Sequence, residues 1–308
     1  MEYKAVIGID RLEITYTTAA ETEEWLTSVP EGSSVTLNEI TLRRESSRHY
    51  KCEFSVWGKD FDFESNTIYD RLWGTLFFGS YNKNRPYVYI LYENSILYDE
   101  YALATRFYIQ DALNLEFFRI SKLDICVDFN YNAVSRFYRM YKDENLDLYI
   151  NGNKIPDMTT RVKNVNHNAD YSSRKRPFSR HNPIVFNTPH SLELSVYNKS
   201  EEIATSRKDY IQEHIGFNRI YRFEVRCRNY KVLHTSLKRL GITDDELYAK
   251  LQMESTLFSL FNDLLERLMY FRHKRKKLNL IFELLKPKEK KRLPLENVSA
   301  GADVYSLR

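Results

Sequence analysis

The chain has 308 residues, 43% of them hydrophobic and 14% aromatic, so it can bury a sizeable core in one large domain or two medium ones. Its formal net charge is only +4, and no apolar run is long enough to cross a bilayer. The first residues, MEYKAVIGID, lack the basic start and apolar stretch of a signal peptide, which predicts a cytoplasmic protein with no membrane partner. Cys52, Cys126 and Cys227 show no CxxC spacing, so we expect free thiols rather than a zinc site or a disulfide framework.

Strand patterns dominate the first half of the chain. Three stretches predict strands or hairpins: YKAVIGIDRLEITYT, HYKCEFSVWGKDFDFE and TLFFGSYNKNRPYVYILYEN. Turn residues predict reversals at Gly58-Lys59 and near 82–84. A helical spacing of leucine and phenylalanine follows over 95–118, and it predicts a helix before the next strand, which covers 120–129.

The second half predicts a helix over 132–143, a long polar loop over 150–183 and an amphipathic helix within 244–271. Together these elements indicate an α+β fold with a largely antiparallel sheet and helices on one side. We expect a core over 1–240, a helical segment over 241–286 and a basic, disordered tail over 287–308. Short internal similarities allow the core to be two related lobes, 1–110 and 111–240.

Three strands share an unusual alternation of apolar and ionisable residues. They are LDICVDF (123–129), LELSVYNKS (192–200) and YRFEVRCRN (221–229), and each places its apolar side chains on one face. If they pair in one sheet, their polar faces converge on one surface. Those polar faces carry Asp124, Cys126 and Asp128 on the first strand, Glu193, Ser195, Tyr197 and Lys199 on the second, and Arg222, Glu224, Arg226 and Arg228 on the third.

This inventory predicts phosphodiester chemistry. Asp124 and Asp128 stand about 13 Å apart on a regular strand, so one of them would have to pair with Glu224 to bind a metal, and Mg²⁺ or Mn²⁺ suits such carboxylates. Tyr197 can act as a nucleophile, and Lys199 or Arg226 can stabilise charge on a phosphate. A solvated face of weak cross-strand ion pairs is the alternative for any single strand.

Basic clusters indicate a polyanionic partner. One lies in the polar loop and one near the end of the predicted helical segment, and 23 tyrosines and 18 phenylalanines could stack on unpaired bases. Solvated helix faces or tails are the alternative for each cluster. The candidate DNA-binding residues are Arg174, Lys175, Arg176, Arg180, Arg222, Arg228, Lys274, Arg275, Lys276 and Lys277.

The ordered set ISKLDICVDF, LSVYNKSEE and YRFEVRCRN resembles the initiation-factor family of plasmid rolling-circle replication, the Rep_trans type, over roughly 110–235. The resemblance implies nicking of one origin strand, a 5′-phosphotyrosine link, a free 3′ hydroxyl and a divalent metal. It implies Tyr197 as the nucleophile and Asp124, Asp128 and Glu224 as the metal ligands. Origin DNA, double-stranded and single-stranded, is then the partner; a host helicase and a homodimer are left open.

The chain departs from that family at one motif that bears on the nucleophile. A Tyr-x-Gly-Ser element is often present before the Tyr-x-Lys element, whereas IVFNTPHS has Phe186 and no Gly-Ser here. Tyr221 and Tyr171 are the next tyrosines to consider. A non-catalytic origin- or operator-binding protein is the alternative function, and a primase-like polymerase is a third one.

Overall fold

The computed structural model describes residues 3–62, 65–80, 87–99, 102–156, 184–187, 191–244 and 246–286. Within them the chain forms a ten-stranded antiparallel sheet and a four-stranded sheet, with helices packed on both, so the α+β prediction is confirmed. No helix of this part of the chain is both long and apolar enough to cross a membrane. The three cysteines are buried and free, as predicted.

The larger sheet has the strand order β10-β11-β12-β7-β1-β6-β5-β4-β3-β2, and the smaller sheet has the order β14-β13-β8-β9. The strands are β1 Ala5–Thr18, β2 Ser34–Leu37, β3 Ile40–Glu45, β4 Tyr50–Asp62, β5 Thr67–Ser80, β6 Tyr87–Tyr92, β7 Leu115–Phe129, β8 Asp147–Ile150, β9 Asn153–Lys154, β10 Ile184–Asn187, β11 Leu192–Asn198, β12 Tyr221–Cys227, β13 Met269–His273 and β14 Lys276–Lys277.

The helices of the described residues connect these strands. They are α1 Ala20–Ser28, α2 Asn94–Leu97, α3 Ala102–Ala112, α4 Ala133–Lys142, α5 Lys199–Ser206, α6 Asp209–Ile215, α7 Tyr230–Arg239, α8 Leu247–Leu251, α9 Glu254–Leu268 and α10 Leu280–Leu285.

Helix α9 covers the apolar face of the sheet. Its buried leucines and Phe261 recur at three- and four-residue spacing, which makes one side of the helix apolar. That side contacts β1, β7, β11 and β12, where Ile125, Val196 and Val225 are fully buried. The short helices α5 and α6 form a separate cluster with Tyr98 and Val6 on the opposite, polar face, so helices lie on both sides of the sheet rather than on one. Because α9 packs against the apolar side of these strands, their polar side chains all lie on the other side of the sheet.

Two element boundaries differ from the sequence predictions. The helix expected over 95–118 consists of α2 and α3 and ends at Ala112, because Asn114 adopts a positive φ of 46° and the chain enters β7 at Leu115. The helical segment expected over 241–286 contains two strands, and β13 pairs with β8. The predicted tail, 287–308, lies outside the described residues, and the division into lobes and segments stays a prediction.

Gly58 lies inside strand β4 and not at a turn, which corrects the predicted reversal. A Cβ atom at this position would come within 2.1 Å of the Trp73 ring, so the glycine allows the indole to lie against the strand backbone. We expect Gly58→Ala to lower the free energy of unfolding by about 1 to 3 kcal/mol in urea denaturation, because the ring must move.

Gly8→Ala is the matched control for this prediction. Gly8 is also a strand glycine, but a Cβ atom there would meet nothing within 4 Å. Its substitution should change stability by no more than about 1 kcal/mol. Equal stability of the two variants would contradict the steric role of Gly58.

Candidate active site

The sheet places the three amphipathic strands side by side in the order β11-β12-β7. Tyr197 pairs with Arg222, which in turn pairs with Asp128, and Arg226 pairs with Asp124. Glu224 lies opposite Cys126, between the two aspartates of β7. The convergence of their polar faces, on which the site prediction depended, is therefore present in the structure.

A fourth strand, β1, adds a carboxylate that the sequence prediction did not include. The register between β1 and β7 shifts between Ile9 and Arg11, so Asp10 is the extra residue of an irregularity in the ladder. Such a bulge redirects a side chain away from regular alternation. Asp10 accepts hydrogen bonds from Tyr98 (2.9 Å) and Arg222. The sequence pattern predicted this stretch as a strand and indicated no role for Asp10.

Arg222 is the centre of a buried ion-pair network. Its exposed fraction is 0%, and its guanidinium donates to both oxygens of Asp128 at 2.7 and 2.6 Å. It also donates to Asp10 and to the Tyr98 hydroxyl. Burial opposes the charge of Arg222, but Asp10 and Asp128 outweigh it and raise its pKa. Burial likewise raises the pKa of Asp10, yet the charges of Arg222 and Lys199 outweigh it, so the net pKa is lowered.

This network bears on three of the predicted site residues. Arg222 does not contact solvent and has its donors occupied, so the structure does not present it to DNA. Asp128 has both oxygens bound to Arg222, which separates it from the other two predicted metal ligands. Lys199 is 1% exposed and lies 3.0 Å from Glu202 and 3.8 Å from Asp10, so it balances those acids at the start of α5.

Tyr197 and Glu224 form a hydrogen-bonded pair of a hydroxyl and a carboxylate. The Tyr197 hydroxyl donates to Glu224 Oε2 at 2.8 Å, and Arg226 Nε donates to the other oxygen of the same carboxylate at 2.6 Å. Arg226 also donates to Glu193 at 2.7 Å, which fixes its guanidinium over the pair. Burial and the charge of Glu224 raise the pKa of Tyr197, so the hydroxyl keeps its proton until a base removes it.

Asp124 has the most unusual carboxylate of the site. Its Oδ1 is buried without a hydrogen-bond partner, and its Oδ2 lies 3.9 Å from Arg226 Nε. Burial and the neighbouring charge of Glu224 raise the pKa of Asp124 to about 7. A buried carboxyl with a pKa near neutrality is more common at functional sites than elsewhere.

These groups open onto a cleft of about 400 Å³. Asp124, Glu224 and Arg226 lie in its wall, and Arg228 is exposed at the same surface. Tyr197 is 5% exposed and does not line the cleft, since Glu224 lies between its hydroxyl and Arg226. Cations and polar groups that the sequence prediction missed complete the wall: Arg11, Asn94 and Lys208.

The donor set leaves one carboxylate oxygen for a divalent cation, because both Glu224 oxygens accept hydrogen bonds and Asp124 Oδ1 has no partner. Among the described residues, no group of three His, Cys, Asp or Glu side chains is arranged to hold a metal. Asp124 and Glu224 nevertheless share the cleft, and Asp124 Oδ1 has no other partner. Mg²⁺ typically uses one or two carboxylates and completes its sphere with water and phosphate oxygens.

Of the other candidate tyrosines and Phe186, which stands where the family often has a Tyr-x-Gly-Ser element, the structure describes Tyr221 and Phe186. Tyr221 lies on the same apolar side of β12 as Phe223. It packs against the core, away from the acids. Phe186 is 1% exposed and packs against Phe137 and Tyr141 in the same core. Tyr171 lies outside the described residues, as do four predicted DNA-binding residues: Arg174, Lys175, Arg176 and Arg180.

In metal-free buffer, Asp124 should make the protein less stable as the pH rises. Its folded-state pKa of about 7 is above the value near 3.9 of an unfolded chain. The stability from the bound proton is therefore complete below about pH 4 and is lost as the pH rises through 7. Between about pH 5 and 8, Asp124→Asn should gain about 2 to 3 kcal/mol of unfolding free energy relative to wild type, measured with urea in EDTA.

Asp111→Asn is the control, because Asp111 is an exposed carboxylate on α3. Its unfolding free energy should follow that of the wild type across the same pH range. A constant difference between Asp124→Asn and wild type at all pH values would contradict the raised pKa of Asp124.

Comparison with known proteins adds one finding. Neither a protein-family model nor a curated protein sequence matches the chain. The solved structure of a rolling circle replication initiator protein from Geobacillus stearothermophilus is similar over 96% of this chain and 93% of that one, with 14% sequence identity and a TM-score of 0.41. A likeness of this degree does not establish a shared site, so residue roles depend on the geometry of this chain.

Proposed function

We propose that this protein is a replication initiator that nicks one strand of an origin and becomes linked to its 5′ end through Tyr197. The observation that supports this most directly is the hydrogen bond from the Tyr197 hydroxyl to Glu224, beside a cleft with a second carboxylate and several cations. A hydroxyl hydrogen-bonded to a base that is oriented by a third group is the arrangement of an activated nucleophile. Arg226 is that third group.

In the proposed step the Tyr197 oxygen attacks the phosphorus of one phosphodiester. A new oxygen–phosphorus bond forms, and the bond from phosphorus to the 3′ oxygen breaks. Glu224 accepts the proton of the tyrosine, and the 3′ oxygen takes a proton from water to leave as a hydroxyl. Arg226 and Arg228, which lie at the cleft, stabilise the negative charge that develops on the phosphate.

A divalent cation belongs to this proposal. Asp124 Oδ1 would hold Mg²⁺ or Mn²⁺ beside Glu224, whose oxygens are already hydrogen-bonded, and the ion when bound would polarise phosphate oxygens. Calorimetry can measure Mn²⁺ binding to the protein in the absence of DNA, for wild type and for Asp124→Asn. Loss of binding in the variant is the expected result, because Asp124 Oδ1 has no other partner among the described residues.

The function is tested with supercoiled plasmid that carries the intergenic DNA next to the gene. Incubation with Mg²⁺ or Mn²⁺ should convert it to the open circular form, with a protein–DNA adduct that resists SDS. EDTA should prevent both products. If neither product forms with any divalent metal, the nicking proposal is wrong.

One observation favours a second candidate, a DNA-binding protein that does not cut. Tyr197 is only 5% exposed, as expected of a residue that positions Glu224 rather than one that attacks a substrate. Such a protein would bind the same DNA equally well in EDTA and would form no covalent adduct. The plasmid experiment therefore separates the two functions.

A further inference from the structure

The hairpin of β13 and β14 has an unusual turn. Arg272 pairs with Lys277 and His273 with Lys276, so Lys274 and Arg275 are the two turn residues. Their φ angles are both positive, 46° and 69°, as in a type I′ turn. Residues with a Cβ atom are strained in this region, and Asn-Gly is the favoured pair. The chain therefore places two long basic side chains where the backbone disfavours them.

The neighbouring hairpin of the same sheet has the favoured residues. Ile150 of β8 pairs with Asn153 of β9, so Asn151 and Gly152 form its two-residue turn, with φ angles of 51° and 78°. The two turns have the same length and the same signs of φ. Backbone strain in a protein tends to be kept at functional positions. The β13–β14 hairpin keeps two positive charges at its exposed tip in spite of this strain.

The cations at the base of this hairpin already have partners. The Arg272 guanidinium lies 4.8 Å from the ring centre of Tyr149 and 5.4 Å from that of Tyr270. The Lys277 ammonium lies 4.4 Å from the Tyr270 ring centre and 2.5 Å from Glu266. The base is thus held by cation–π contacts and an ion pair. These contacts give the tip a fixed support.

The cations at the tip differ from those at the base. Lys274, Arg275 and Lys276 are exposed, and their side chains form no ion pair or hydrogen bond with the part of the chain that the structure describes. None of the residues 273–277 is a phenylalanine, tyrosine or tryptophan. Single-stranded DNA is typically bound through such rings, on which the bases stack. Tyr149 and Tyr270 stack on each other at 4.8 Å, and the Arg272 and Lys277 cations already lie over these rings.

We propose that the tip of the β13–β14 hairpin, Lys274 to Lys276, binds phosphates of double-stranded DNA. These residues do not line the cleft, and Phe271 of β13 packs through Phe137 on Phe223, on the apolar side of the large sheet, so the hairpin would bind a part of the duplex away from the cleft. A two-stranded ribbon fits the major groove, and the duplex has the denser phosphate charge. The inference rests on the proposed function only in that the partner is DNA.

The test replaces the turn with the residues of its neighbour, Lys274→Asn with Arg275→Gly. The variant should unfold at a Tm about 2 to 4 °C higher, because the strain is relieved. Its binding to a 20-bp duplex, measured by fluorescence anisotropy, should weaken, and the slope of log K against log salt should become less steep by about 2. The wild-type advantage should shrink about tenfold between 50 and 200 mM salt. Binding to one strand of that duplex should change little.

The control is the exchange Lys274→Arg with Arg275→Lys, which keeps both charges and should bind duplex as the wild type does. Lys276→Gln leaves the turn intact and should reduce the salt slope by about 1, which keeps the test valid if the double variant does not fold. An unchanged duplex slope, or an equal loss on single-stranded DNA, would overturn the proposal. Adduct formation on a single-stranded oligonucleotide is measured in parallel; its absence in every protein would refute nicking and leave the duplex result standing.

Discussion

Tyr197→Phe should abolish the SDS-resistant adduct between the protein and DNA. The substitution removes the one oxygen that would bond to phosphorus and leaves the ring in place, so the rate of adduct formation should fall to zero. It also removes the hydrogen bond to Glu224, which should lower the free energy of unfolding by about 1.5 to 3 kcal/mol because the acceptor is charged and buried. Adduct formation is measured on SDS gels with labelled single-stranded origin DNA, and binding of uncut DNA should persist.

Tyr221→Phe is the matched control for this experiment. It makes the same chemical change on the neighbouring strand, but Tyr221 packs on the apolar side of the sheet. Its adduct yield should equal that of the wild type. If Tyr197→Phe still forms the adduct, another tyrosine is the nucleophile. Tyr210 would be tested next, because its hydroxyl donates to Asn94 in the cleft wall at 2.6 Å.

Arg222→Met should be among the most destabilising single substitutions in the described chain. It leaves Asp128, which is 2% exposed, and Asp10 without their common cation. Loss of one partner from a buried ion pair costs about 3 to 5 kcal/mol, because the remaining charge is neither solvated nor neutralised. The unfolding free energy in urea should fall by that amount. Arg222→Lys should recover only part of the loss, because an ammonium cannot donate to both Asp128 oxygens in the same planar arrangement.

Two companion variants distinguish this buried role from a surface role. Arg228→Ala removes an exposed arginine that directly follows β12 at the cleft and should change stability by less than about 0.5 kcal/mol. Adding Asp128→Asn and Asp10→Asn to Arg222→Met should restore much of the lost stability, since the unpaired charges are removed. A cost below about 1 kcal/mol for Arg222→Met would contradict the buried network.

The amino-acid sequence by itself determined which faces of the strands are polar. The alternation in β7, β11 and β12 has a period of two, and this local property survives any pairing order. It also determined the free cysteines and the helix α4, whose boundaries lie within one residue of the prediction. The identification of Asp124, Glu224, Tyr197 and Arg226 as neighbours needed only the assumption that these strands pair.

Only the tertiary structure decided which of those polar groups are available for chemistry. Asp128 and Arg222 look equivalent to Asp124 and Arg226 in their strands, but Asp10 reaches the first pair from a bulge in β1. That contact spans 212 residues of sequence separation, so no local pattern could indicate it. Gly58 was predicted to form a turn for a similar reason, because glycine is favoured both at turns and where a ring such as that of Trp73 approaches the backbone closely. Periodicity is set by neighbours along the chain, whereas burial and ion pairing are set by strands that meet only in the folded sheet.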